Sequence, residues 1–240
     1  VTAQATPRAV QVPFEKTAAY MKITDHVWQV GGGSLTSPDD AAIYLIAFGT
    51  AAALIDAGCG WEHEKLVENI KQYLLPETRI KYLFITHCHF DHAGGAAAIK
   101  RQFGCTFVAH ALDAPYLESG DEIVTAAQWY GALLNPLPID HKINAAEETF
   151  TLGNGSIRAI HCPGHSPGSM VLVSEVNGKK ILFGQDIHGP LHEDLLSNQA
   201  DYKKSLNFLL SIEADILCEG HFGVYKGKAE VRAFIESFLR

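Results

Sequence analysis

The 240-residue chain predicts an α/β fold in which mixed β-sheets are flanked by helices. Short apolar runs recur along it, several of them paired around turn dipeptides. Stretches with apolar residues at helical spacing lie between them, and segments rich in His and Asp follow directly on several of the runs. Hydrophobic residues make up 47% and charged residues 19%, an ordinary globular composition that excludes a disordered, collagen-like or disulfide-scaffold chain. Residues 1–13 carry Thr, Ala, Gln and two prolines and read as a flexible arm. No linker follows, so 14–240 are expected to form a single domain.

In order, residues 23–30 read as a strand broken by Gly31-Gly32-Gly33. The runs 42–47 and 51–55 flank Phe48-Gly49-Thr50 as a hairpin. Residues 62–75 place Leu66, Ile70 and Tyr73 at helical spacing, with Pro76 as the stop. The β-branched and aromatic run 80–86 predicts a buried strand. After a polar segment, Gly94-Gly95 lead into a helix reaching about Phe103, and 107–109 resume a strand. Residues 111–134 are helical in pattern and end at Asn135-Pro136-Leu137-Pro138. Two hairpins follow, 149–152 with 156–160 around Asn154-Gly155, and 170–176 with 180–183 around Asn177-Gly178. A helix over 202–212, a strand over 216–218 and a helix over 229–239 close the chain. Each half thus runs strands, helix, strand, without a short solenoid repeat.

Net charge is −8 and no run of Lys and Arg occurs, which argues against nucleic acid or an anionic membrane as partner and leaves a small-molecule substrate. No apolar run reaches the roughly 18 residues of a membrane helix. The five cysteines, Cys59, Cys88, Cys105, Cys162 and Cys218, follow no framework spacing and predict free thiols in a reducing, cytoplasmic setting. The first residue is Val1, which implies that something upstream was removed.

Twelve histidines point to metal or acid–base chemistry. The densest segment is His87-Cys88-His89-Phe90-Asp91-His92, at the end of an apolar run. Residues two apart project to the same side of extended backbone, whereas a helix would need a spacing of four, so the motif belongs on a loop. Imidazole and carboxylate donors without an obligatory thiolate suit zinc, and also iron or manganese. One loop cannot complete such a site. His165, Asp186 and His221 each lie just past an apolar run beside glycines that permit close backbone approach, and complete the candidate set.

Five ordered motifs closely resemble the metallo-β-lactamase-fold hydrolases: Leu54-Ile55-Asp56-Ala57-Gly58, Thr86 to Gly95, Cys162-Pro163-Gly164-His165-Ser166-Pro167-Gly168, Phe183-Gly184-Gln185-Asp186, and Gly220-His221. The resemblance spans 23–239. It implies a four-layer αβ/βα sandwich, two mixed β-sheets face to face with helices outside, and a binuclear site at one edge. By that resemblance His87, His89 and His165 bind one divalent ion, Asp91, His92 and His221 bind a second, and Asp186 bridges them. Asp56 orients ligand imidazoles. The implied chemistry is hydrolysis by a metal-bridging hydroxide, with Asp91 able to take the proton of the attacking water, on an ester, thioester or lactone.

Within the family, Asp186 resembles the glyoxalase II, lactonase and phosphodiesterase branches; true β-lactamases most often differ at that position. Acyl-homoserine lactonases carry a tyrosine shortly after the bridging aspartate, where this chain has Ile187-His188-Gly189-Pro190. Glyoxalase II enzymes carry a C-terminal glutathione-binding extension that this sequence, ending soon after His221, does not match. The nucleases of the fold need a basic arm. Persulfide dioxygenases, a different class, resemble the chain in several ligands but use one iron. His188 and His192, just after Asp186, are candidates to line the substrate pocket or its entrance, and an exposed polar loop fits the same segment equally well. Residues 129–137, with Trp129, Tyr130 and two prolines nearby, suggest a lid. Oligomeric state is open, a homodimer being one option.

Overall fold

The computed structural model describes residues 22–239, so the arm expected at 1–13 and the domain start at 14 lie outside the described residues. The first sheet holds six strands in sequential order: β1 (Val27–Gly31), β2 (Ile43–Phe48), β3 (Ala51–Ile55), β4 (Arg79–Phe84), β5 (Thr106–His110) and β6 (His141–Ile143). β1 to β3 are antiparallel, whereas β3 to β6 run parallel. Parallel neighbours need crossovers. α1 (His63–Lys71) links β3 to β4, and the short α2 (Phe90–Ala93) with α3 (Ala96–Phe103) links β4 to β5. α4 (Ala114–Ser119) lies between β5 and β6.

The second sheet is also sequential: β7 (Glu147–Leu152), β8 (Gly155–His161), β9 (Met170–Val176), β10 (Lys179–Gln185), β11 (Ile216–Glu219) and β12 (Val224–Lys226). Its strands are antiparallel except the parallel pair β10 and β11, joined through α5 (Gln199–Ile212). α6 (Lys228–Ser237) follows β12.

Successive strand residues point to opposite faces, and in the central strands both faces are apolar. On β2, Ile43 and Leu45 face α1 and α3, while Tyr44 and Ile46 face the second sheet. On β10, Ile181 and Phe183 meet the first sheet and Leu182 meets α5 and α6. Three apolar layers therefore separate four layers of backbone, the αβ/βα sandwich. Fully burying one such side chain stabilises by about 1.5–3 kcal/mol.

The first strand starts only at Val27, because the backbone N–H groups of Ile23 and Thr24 both turn back to the Val27 carbonyl. The helical pattern over 111–134 yields only α4 and a 3-10 turn at Ala127–Tyr130. α4 stops at Gly120, in the left-handed region at φ 67°, and the Asp121 side chain then takes the N–H groups of Ile123 and Val124. The β7–β8 turn is Gly153-Asn154 rather than Asn154-Gly155: Gly153 has φ 59°, and Gly155 already pairs with Leu152. The next turn is Asn177-Gly178 as expected, both at positive φ.

A stacked imidazole pair ties the two sheets together near their loop ends. His110 on β5 and His161 at the end of β8 lie with ring centroids 3.8 Å apart and planes 8° from parallel. Burial, reinforced by His161, pushes His110 down to about 4 from an ordinary 6.5. Between those values the unfolded chain takes up a proton that the folded chain refuses, so this pair removes stability as pH falls from 6.5 towards 4. His110→Phe keeps an aromatic stack without the proton. Its melting temperature is expected to fall less between pH 7 and pH 5 than that of the parent chain; equal falls would assign the acid sensitivity elsewhere.

Candidate metal centre

Loop ends at one edge of the sandwich gather the seven expected ligands. Beyond β4 the chain stays extended, and His89 (φ −69°, ψ 150°) caps α2. Cys88 points into the apolar layer under α3, so His87 and His89 share the other side. Asp91 and His92 ride on α2, His165 on the β8–β9 loop, Asp186 directly after β10 and His221 after β11. The ligand atoms of His87, His89, His165 and Asp186 lie within 4.8 Å of one another, as do those of Asp91, His92 and His221.

Asp186 stands between the two groups. Its Oδ2 is 3.4 Å from His165 Nε2, 3.4 Å from His221 Nε2 and 3.9 Å from His87 Nε2, and its Oδ1 is 3.1 Å from His92 Nε2. Asp91 Oδ2 is 3.2 Å from His221 Nε2 and 3.6 Å from His92 Nε2. A Cβ at residue 220 would come within 2.3 Å of Asp186 Oδ1, so only Gly220 lets β11 end against the carboxylate.

Further side chains hold these groups in place. Asp56 sits at φ 63°, where non-glycine residues are uncommon. It accepts from His92 Nδ1 at 2.7 Å and from both the backbone N–H and the hydroxyl of Thr86 at 2.8 Å. His165 donates Nδ1–H to the Pro190 carbonyl at 2.8 Å, turning Nε2 towards His89 Nδ1 at 2.9 Å and Asp186 Oδ2 at 3.4 Å. Asp113, fully buried before α4, takes the Cys88 N–H at 2.9 Å, the Gly168 N–H at 2.6 Å and the Ser166 hydroxyl at 2.6 Å. It thereby pins the His87–His89 loop to the His165 loop. Sequence reasoning missed Asp113, whose partners are 25 to 55 residues away and leave no spacing signal. It also missed Glu219, although that residue directly precedes the Gly220-His221 motif.

The electrostatics suit a cation. Burial holds His87 and His89 well below the usual imidazole range, and the neutral ring is the form that ligates. Burial alone would raise Asp186, but His92 and His221 hold it well below the ordinary carboxylate value. Burial would likewise lower His221, yet Asp186 and Asp91 lift it to about 10. The pocket thus demands positive charge. Nε2 of His87 and His92 and Oδ1 of Asp186 are buried without a hydrogen-bond partner, a costly arrangement that divalent ions would relieve. The donor set of imidazole and carboxylate fits zinc, iron or manganese.

Of the remaining expected residues, His188 packs against His221, with ring centroids 5.1 Å apart. His192 does not join the ligand groups: it is exposed and meets Trp129 edge-on at 5.4 Å. In the segment 129–137, Leu134 and Leu137 are buried in the core while Trp129 and Leu133 stay exposed. Tyr130 packs on Phe90 and Trp61 beside Asp91, whose charge adds to burial in raising its phenol. An aromatic and apolar rim thus borders the centre.

Asp56→Asn should leave the fold intact and weaken metal binding by about 10–100-fold, the usual cost of losing a partner behind a ligand. Competition against a chromogenic chelator measures this directly; an unchanged affinity would reduce Asp56 to a backbone brace for Thr86.

Residues 36–221 match the family model described as the metallo-beta-lactamase superfamily. A probable metallo-hydrolase of Methanocaldococcus jannaschii is 32% identical over 132 residues, covering 55% of this chain and 61% of that protein. The hydroxyacylglutathione hydrolase GloC of Haemophilus influenzae is 30% identical over 138 residues, covering 57% of this chain and 60% of that protein. The chain thus spans about three fifths of the length of these curated relatives. The human acyl-coenzyme A thioesterase MBLAC2 is 27% identical over 241 residues, covering 86% of this chain and 82% of that protein. Among solved structures, a subclass B3 metallo-beta-lactamase of Bradyrhizobium japonicum superposes with a TM-score of 0.70 at 21% identity, covering 90% of this chain and 89% of the other, a likeness of fold alone. Among the described residues no helix is long and apolar enough to cross a membrane.

Proposed function

The chain belongs to the metallo-beta-lactamase superfamily, and from that membership we propose that it is a metal-dependent hydrolase of ester, thioester or lactone bonds. The observation that carries the reading is the pair of ligand groups meeting at Asp186, with buried imidazole and carboxylate atoms left without protein partners. Two divalent ions, zinc first and iron or manganese as alternatives, would supply an activated water near neutral pH and Lewis-acid polarisation of the scissile carbonyl. His87, His89 and His165 would hold one ion, Asp91, His92 and His221 the other, and Asp186 would serve both. Asp91, kept ionised by His92 and His221 against the effect of burial, takes the proton of the attacking water. Asp56 and Thr86 keep the imidazoles of His92 and His87 in position. Trp61, Tyr130 and Trp129 form an apolar wall for the acyl part of the substrate.

Two similarities support acyl substrates: GloC, named a hydroxyacylglutathione hydrolase, and MBLAC2, named an acyl-coenzyme A thioesterase. The test is a panel of thioesters, lactones, simple esters, β-lactams and phosphodiesters, assayed with and without a chelator. Chelator-sensitive turnover of an acyl compound, restored by zinc, is expected. Preferential cleavage of a β-lactam or phosphodiester would reassign the substrate. Oxygen uptake with a persulfide by protein holding a single iron would replace hydrolysis altogether.

A further inference from the structure

Beside the seven ligands stands an eighth side chain prepared in the same manner. The ligand atoms of His188, Asp186 and His221 lie within 4.8 Å of one another. His188 Nδ1 is 2.9 Å from Oε1 of Glu219, a residue with no exposed surface. The other Glu219 oxygen accepts the backbone N–H groups of His221 and Phe222, each at 2.7 Å. Both Glu219 oxygens are thereby engaged, and the contact at Nδ1 leaves Nε2 as the ring nitrogen of His188 available to a further partner. A carboxylate behind a histidine, fixing its tautomer and raising its basicity, is the ordinary support of a metal ligand. Phe222 covers the ring at 4.8 Å between centroids, and the side chain is only 16% exposed, which limits its rotation into solvent. His192, four residues on, differs: it is exposed, its Nδ1 takes the Asp194 N–H, and it stands outside the ligand groups.

We propose that His188, oriented by the buried carboxylate of Glu219, is an additional ligand through Nε2 to the ion shared by Asp186 and His221. This rests on the two-ion reading above. It gives Glu219 a double task, since the same carboxylate that orients His188 also fixes the backbone from which His221 projects.

The test is titration of the metal-stripped full chain with zinc, and with Co(II) for its visible absorption, comparing the parent with His188→Ala and with His192→Ala as control. Thermal unfolding of each variant establishes that it folds. His188→Ala is expected to weaken one metal equivalent by about 10-fold or more, to leave the other unchanged and to alter the Co(II) spectrum, with added imidazole restoring both. His192→Ala is expected to match the parent. Equal affinities and identical Co(II) spectra for His188→Ala and the parent would overturn the role of His188 while leaving the two-ion reading intact. A parent chain that takes up a single equivalent would overturn the two-ion reading; the His188 assignment is then decided by whether the variant weakens that one ion.

Discussion

Asp186→Asn should lower hydrolysis by more than about 100-fold, beyond the cost of losing a partner behind a ligand, and should reduce bound metal to one equivalent or fewer. Both carboxylate oxygens face imidazoles: Oδ2 faces His87, His165 and His221, while Oδ1 faces His92. An amide keeps the shape but offers one neutral oxygen, and turns N–H donors towards imidazoles that need an acceptor or a cation. It also removes the charge that lifts His92 well above, and His221 to about 10 against, the lowering effect of burial. Metal content after gel filtration, read beside turnover, checks this. A variant that retains two equivalents and turns over within tenfold of the parent would show that Asp186 is not shared.

The second large effect concerns stability. Asp113→Ala leaves the Cys88 N–H, the Gly168 N–H and the Ser166 hydroxyl buried with their acceptor gone. At about 1–3 kcal/mol for each stranded donor, a loss of about 4 kcal/mol is expected. For a chain of this size that corresponds to a fall in melting temperature of about 10 °C. Because the same carboxylate joins the His87–His89 loop to the His165 loop, metal affinity should fall in parallel. Asp113→Asn should cost less: burial already raises this carboxyl against the hydrogen bonds that lower it, and the amide oxygen still accepts. Thermal unfolding of both variants decides it. A shift of under 2 °C for Asp113→Ala would mean that the loops are held by other contacts.

The contrast between Asp113 and the ligands shows what was legible in the sequence. The ligand segment 87–92 stands out because imidazole and carboxylate donors at such density after an apolar strand have few structural uses. His165, Asp186 and His221 follow strand ends in the same manner, and the structure brings all seven together. Asp113 and Glu219 are ordinary acids in sequence; their importance comes from burial and from partners that only the fold supplies. The stretch 111–134 misled for a related reason. Leu117, Val124, Ala127 and Leu134 are buried in the core beneath α3 and α4, so they repeat roughly as a helix would, yet Gly120 and the Asp121 side chain turn the backbone between Leu117 and Val124. The strands β6 and β12, three residues each, are too short for any alternation to register. The central strands were legible, because strands buried on both faces, such as β2, β3, β9 and β10, read as continuous apolar runs.

The central claim is that one carboxylate and six other side chains hold two ions. Anomalous diffraction from crystals of the zinc-loaded protein tests it most directly. Two peaks are expected, one bounded by His87, His89 and His165, the other by Asp91, His92 and His221, with Asp186 in contact with both. A single peak, or two peaks of which neither touches Asp186, would contradict the account.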